Sequence, residues 1–188
     1  HMLHRLSAVD ISIRNYYEYT VSNKPRQVTI ELSSLTIKLT RMNTSAKIYL
    51  DPSIPTVPTT STGSSNNPVR TYTMIGSGNY TYQNALNVPY NQDAKVAIKQ
   101  KDGDSLPLLL IPQAESDTGY LQGRIEMVYK MSYIDDRGNK QYVTEGYWWN
   151  KTDRFENNFN FTFDRKLEEG RRYEIVLTFA SGAVAVQV

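Results

Sequence analysis

The sequence contains no cysteine, so disulfides, thiolate nucleophiles and cysteine-ligated metal centres are excluded, and the redox compartment stays open. Histidine is almost as scarce. Only His1 and His4 occur, and His1-Met2 reads as a cloning scar. A Ser-His-Asp triad or a histidine-rich zinc site therefore cannot be built from the body of the chain. No purely apolar run exceeds four residues (108–111 is one), far short of the roughly 20 a membrane helix needs. Charge of one sign is also missing. The formal net charge of +2 forces no expansion, and the basic residues are scattered among acids, with no aromatic-plus-basic platform for nucleic acid. Helix formers are few: Ala and Leu together number 23, against 56 Val, Ile, Thr and Tyr.

What is present suits sheets. β-branched and aromatic side chains fit a pleated surface and lose rotamer freedom in helices. Leu, Ile, Val and Phe make up 23% of the 188 residues, above the roughly 20% line below which disorder is the default. A chain of this length buries enough surface for one self-sufficient core, so a single domain over 1–188 is expected.

Period-two alternation recurs. Val9, Ile11 and Ile13 alternate with Asp10 and Ser12, and residues 125–133 alternate over nearly ten positions. Phe159, Phe161 and Phe163 form a third pattern, and Tyr173, Ile175, Leu177 and Phe179 a fourth. Each reads as a strand with one buried face. In 28–40 the apolar phase slips between Leu32 and Leu35, so Ser33-Ser34 should hold a bulge or a bend where the strand changes sheets. The run Asp135-Asp136-Arg137-Gly138-Asn139 should close a hairpin, Asp102-Gly103-Asp104 should turn the chain, and Glu168-Glu169-Gly170 ends a short connection. Pro107 and Pro112 flank a strand that suits a sheet edge. Residues 15–24 hold one helical turn or a loop. Residues 51–68, with four Pro, eight Ser or Thr and a single charge, read as a long exposed loop inside one sandwich.

Four pieces in order resemble the fimbrillin-like family of type V pilus subunits and surface lipoproteins, in their C-terminal domain. They are Leu3-His4-Arg5-Leu6-Ser7-Ala8-Val9-Asp10-Ile11-Ser12-Ile13, Leu35-Thr36-Ile37-Lys38-Leu39, Leu108-Leu109-Leu110-Ile111-Pro112-Gln113 and Leu167-Glu168-Glu169-Gly170-Arg171-Arg172-Tyr173-Glu174-Ile175. The resemblance implies a transthyretin-like antiparallel β-sandwich, here of about seven to ten strands. It also implies export, a cell-surface position at the outer membrane or in a fimbria, and no cofactor. Its partners would be other pilus subunits or copies of itself, and a host protein or glycan. The family's lipidated cysteine and protease cleavage site have no counterpart in the sequence.

The chemistry-bearing residues are few. Asp135/Asp136 and Glu168/Glu169 are neighbouring carboxylates in turns, where solvation explains them better than a glycosidase pair. Asp102 and Asp104 lack the spacing of a calcium loop. No enzyme activity is expected. Val184, Val186 and Val188 present an apolar face on a last strand, a candidate for pairing with another copy or an ordinary strand of its own sheet. Tyr147, Trp148 and Trp149 form a candidate ligand or partner surface. On a strand, Trp148 faces away from the other two, so one large ring lies outside or at a rim, or else covers a sheet edge. Two functions follow as expectations: a surface domain acting by strand pairing and adhesion, or a glycan-binding module using exposed Trp and Tyr.

Overall fold

The computed structural model describes residues 5–43, 46–47, 51, 53–58, 70–75, 86–98, 107–113, 119–146, 149, 153–180 and 183–187. Among them there is no helix. The strands in chain order are β1 (Ser7–Tyr16), β2 (Glu18–Val21), β3 (Lys24–Gln27), β4 (Thr29–Thr40), β5 (Ala46–Lys47), β6 (Val57–Pro58), β7 (Arg70–Ile75) and β8 (Leu86–Val88). Then follow β9 (Asn91–Ile98), β10 (Leu108–Leu110), β11 (Gln122–Ile134), β12 (Lys140–Tyr142), β13 (Phe155–Thr162), β14 (Arg172–Ala180) and β15 (Ala183–Gln187).

Eleven of these build two sheets. The first centres on β1, which pairs with β14 on one side, and β15 continues beyond β14. On its other side β1 meets β10 along Ser7, Ala8 and Val9, then β9 from Ile11 to Asn15, two short strands set end to end. The second sheet centres on β4 and β11. β13 and β12 share the far edge of β11, and β7 and β8 share the far edge of β4. Three of the four sheet edges are thus made of two lengths. One pairing departs from the antiparallel expectation: β1 and β14 run parallel over nine residue pairs, from Ala8 opposite Arg172 to Tyr16 opposite Ala180. Parallel neighbours need a long crossover, and nearly the whole chain separates these two strands.

The alternations aim at one shared core. Val9, Ile11 and Ile13 on β1 and Ile175, Leu177 and Phe179 on β14 are buried with Ile30, Leu32, Leu35, Ile37 and Leu39 on β4. The Tyr129 ring on β11 meets Phe179 edge-on at 5.3 Å, so aromatic packing joins the two sheets. The phase slip is a bulge. Val128 pairs with Ser34 and Tyr129 with Leu32, so Ser33 is skipped, and its hydroxyl donates to the Val128 carbonyl at 2.9 Å. The bulge returns the apolar face to the core without carrying β4 into the other sheet. Gly123 sits between Leu39 and Phe161 in the ladder, and a Cβ there would lie 2.3 Å from the Phe161 ring, which fills the vacant space.

One local expectation changes. Residues 15–24 hold neither a helical turn nor a plain loop. They end β1 and form the β2–β3 hairpin, whose turn residues Ser22 and Asn23 have φ of 50° and 61°. Two positive φ values suit a tight hairpin whose twist matches its strands. The sequence hides this turn because Ser-Asn replaces the Asn-Gly that usually marks it. Of the 51–68 stretch, Asp51 and residues 53–58 are described, and they are pinned. Arg5 donates to the carbonyls of Asp51 and Ile54, and the buried Thr56 N–H donates to Glu169. Polar bonds supply the ordering free energy that apolar burial does not. Asp102, Gly103 and Asp104 lie outside the described residues.

Candidate interaction edge

The last strand forms because its alternating valines continue the apolar face of β14. Val186 pairs with Leu177 and packs against the core, and Val184 stands opposite Phe179 in the ladder. Val188 and the side chain of Val184 lie outside the described part. β15 covers β14 only from Val176 to Ala180. Residues 172–175 of β14 pair with β1 on one side and, among the described residues, with no strand on the other. Among the described residues the fourth sheet edge therefore shows one length where the other three show two.

Beside this uncovered stretch lies an open groove of about 430 Å³, bordered by residues 163–165, Glu168 and residues 171–174. Its base is aromatic: Tyr173 meets Phe163 edge-on at 6.0 Å. The Tyr173 hydroxyl accepts the Glu168 N–H at 2.8 Å and donates to the Lys166 carbonyl at 3.2 Å, which fixes the ring. The charges around the rim are already matched. Arg165 pairs with Asp164 at 2.8 Å, Arg171 with Glu168 at 3.3 Å, and Arg172 forks onto Asp10. Arg165 holds the Asp164 carboxyl below the usual range, and Lys95 with Ser12 does the same for Glu174. Such an edge, with no described strand beside 172–175 and its charges paired, is open to a further strand.

The aromatic candidates divide. Trp149 is half-buried, bridges to Phe155 in the backbone, and sets its ring edge-on to Phe155 at 5.1 Å. Phe155 stacks on Tyr129 at 5.4 Å, so Trp149 closes an aromatic column that reaches Phe179. Burial pushes the Tyr129 hydroxyl up to about 12. Tyr147 and Trp148 lie outside the described residues.

The paired carboxylates have separate structural duties. Asp135 Oδ1 accepts the N–H groups of Arg137 and Asn139 and shapes the hairpin turn, which holds its carboxyl low. Asp136 is lowered by Arg26 and then Lys24, at 2.5 and 3.3 Å, and so clasps the β2–β3 hairpin. Glu169 binds Arg5 at 2.7 Å, and Glu168 holds Arg171. Among the described residues no three acidic or histidine side chains converge on a common point.

Sequence reasoning missed three features. Tyr19 donates to Glu145 at 2.5 Å, which with burial raises its hydroxyl to about 12, and its ring tilts against Tyr133 at 5.7 Å. The second is the tie among Arg5, Thr56 and Glu169. The third is Tyr142, 44% exposed on β12 between two lysines. Only the last left a signal, in the alternation of Lys140 and Tyr142 after a legible turn. No family model, curated protein or solved structure matches the chain.

Proposed function

We propose that the chain is a non-catalytic cell-surface domain, a transthyretin-like sandwich of a fimbrillin-like pilus subunit or adhesin, which associates by adding a strand at the β14–β15 edge. One observation carries the reading: among the described residues β14 meets β15 over five residue pairs, and 172–175 lie beside the groove at Tyr173 with no described strand on that side. An extended segment from another copy or a related subunit, laid end to end with β15, would complete the edge as the paired lengths complete the other three. Main-chain hydrogen bonds would supply affinity, and alternate apolar side chains would settle against Tyr173 and Phe163. Trp149 favours association over sugar stacking, because its ring is committed to Phe155.

Sedimentation velocity on the wild-type chain, on a chain lacking 183–188 and on Ala185→Lys tests the proposal. Ala185 is exposed on β15, so the lysine places a charge beside the edge without entering the core. Self-association should appear in the wild type and disappear in both variants, with far-UV circular dichroism preserved in Ala185→Lys. A wild type that stays monomeric, or a folded Ala185→Lys that associates as before, overturns it.

A further inference from the structure

The second sheet carries a different surface at its other end. On its outer face Tyr142 stands opposite Ser132, with Lys130 and Ile134 diagonal to it on β11 and Lys140 two residues back on β12. The ring is 44% exposed and Ile134 is 57% exposed, two of the most exposed large apolar side chains described. The ammonium groups of Lys140 and Lys130 lie 5.1 and 5.4 Å from the ring centroid. Both are within cation–π range, so the ring is held in place while much of it faces solvent.

The charges around this ring are already compensated. Lys140 pairs at 2.5 Å with Glu31, a nearly buried carboxylate that also accepts the Ser132 hydroxyl at 2.6 Å. That bond raises the Lys140 ammonium above its ordinary range and keeps it charged. Lys130 lies 3.8 Å from Asp153, and Arg154 pairs with Glu156. Three cations face three carboxylates. A part-exposed ring beside an exposed Ile134, with fixed donors over it and its charges paired, suits a ligand with an apolar face and many hydroxyls. It does not suit a polyanion.

We propose that Tyr142, with Lys130, Lys140 and Ile134 around it, is a docking platform for a neutral saccharide. The sugar packs against the exposed part of the phenol ring and Ile134, and its hydroxyls bond to the ammonium groups. The platform is independent of the strand edge on the first sheet, so either can fail alone.

Affinity electrophoresis and NMR titration against cellohexaose, xylohexaose, maltohexaose, mannohexaose and polygalacturonate provide the test. At least one neutral oligosaccharide should bind. Tyr142→Ala should weaken that binding by about tenfold, whereas Tyr142→Phe, which keeps the ring, should stay within about twofold. Raising the salt from about 50 to about 500 mM should change the affinity by less than about twofold. A thermal melt shows whether Tyr142→Ala is folded, and shift perturbations in the wild type, centred on Tyr142 and Ile134, locate the site without any variant. The proposal is overturned by no binding to any neutral sugar, by perturbations elsewhere, by an unchanged affinity in folded Tyr142→Ala, or by steeply salt-dependent binding to polygalacturonate alone.

Discussion

Among the described residues three asparagines are buried, and two of them lie within strands, Asn15 on β1 and Asn157 on β13, at 1% and 3% exposed. Around Asn15 the amide is well served. Its Nδ2 donates to the carbonyls of Val28 at 2.7 Å and Val88 at 2.9 Å, and its Oδ1 accepts the Tyr17 N–H at 3.0 Å. Around Asn157, among the described residues, Tyr129 alone is in reach, as a 3.4 Å acceptor for Nδ2, and Oδ1 is buried without a partner. Position along a strand explains the difference. Val28 lies between β3 and β4 and Val88 ends β8, where carbonyls fall outside the ladders. Asn157 sits in mid-ladder opposite Met127, where the backbone is already paired. A buried amide stabilises a sheet protein where strands stop, and costs free energy where they continue.

The largest expected effect follows at once. Asn15→Leu strips partners from two buried carbonyls and one N–H, and it unties β1 from the entry to β4 and the end of β8. The loss should be about 3 kcal/mol, read as a lower urea midpoint with an unchanged slope. A loss below about 1 kcal/mol would mean that those groups find other partners, and the distinction between the two asparagines would lapse.

Glu169 stands between these extremes. Its side chain is 26% exposed and bonds to Arg5 and to the Thr56 N–H, each at 2.7 Å. Burial alone would raise its carboxyl, but the Thr56 and Arg5 hydrogen bonds outweigh burial and hold it below the usual glutamate range. A folded-state value below the unfolded one adds stability above the unfolded value, near pH 4.3, and that stability is lost as pH falls through the folded value. Glu169→Gln should therefore cost about 1 kcal/mol at pH 7. Relative to wild type, the deficit should shrink steadily between about pH 5 and about pH 3 in parallel urea titrations. A deficit constant over that window would assign Glu169 a packing role in place of a charged one.

How far the sequence announced these features varies with their range. The long strands and the Ser33 bulge were legible because apolar phase is a local signal, and so was the 135–139 turn. The parallel β1–β14 pairing was not, since nothing local distinguishes a strand that will lie beside its neighbour from one that will lie beside a distant strand. The β2–β3 hairpin hid behind Ser22-Asn23. At the candidate edge, the apolar alternation of the last strand was readable, but which residues of β14 it meets depends on register and leaves no local trace. The tryptophans show the same limit. A ring's type was readable and its neighbour was not, so Trp149 passed for a surface residue until Phe155 stood beside it. Asn15 and Asn157 are identical in type and both flanked by strand residues, and only the distant carbonyls of Val28 and Val88 separate them.

The smallest effect gives the sharpest test of that separation. Replacing Asn157 alone by Leu removes one unpartnered oxygen but also the only partner of the Tyr129 hydroxyl, so the two contributions oppose each other. Replacing both, Tyr129→Phe with Asn157→Leu, removes a weakly bonded polar pair and leaves apolar groups of similar shape in its place. The double variant should match the wild type or exceed it by up to about 1 kcal/mol. The coupling between the two changes should stay under about 0.5 kcal/mol, because a 3.4 Å contact to a neutral hydroxyl holds little free energy. The same leucine that costs about 3 kcal/mol at Asn15 is then tolerated at Asn157, at equal burial. A double variant more than about 2 kcal/mol below the wild type would place Asn157 with Asn15, its Oδ1 served by a buried water.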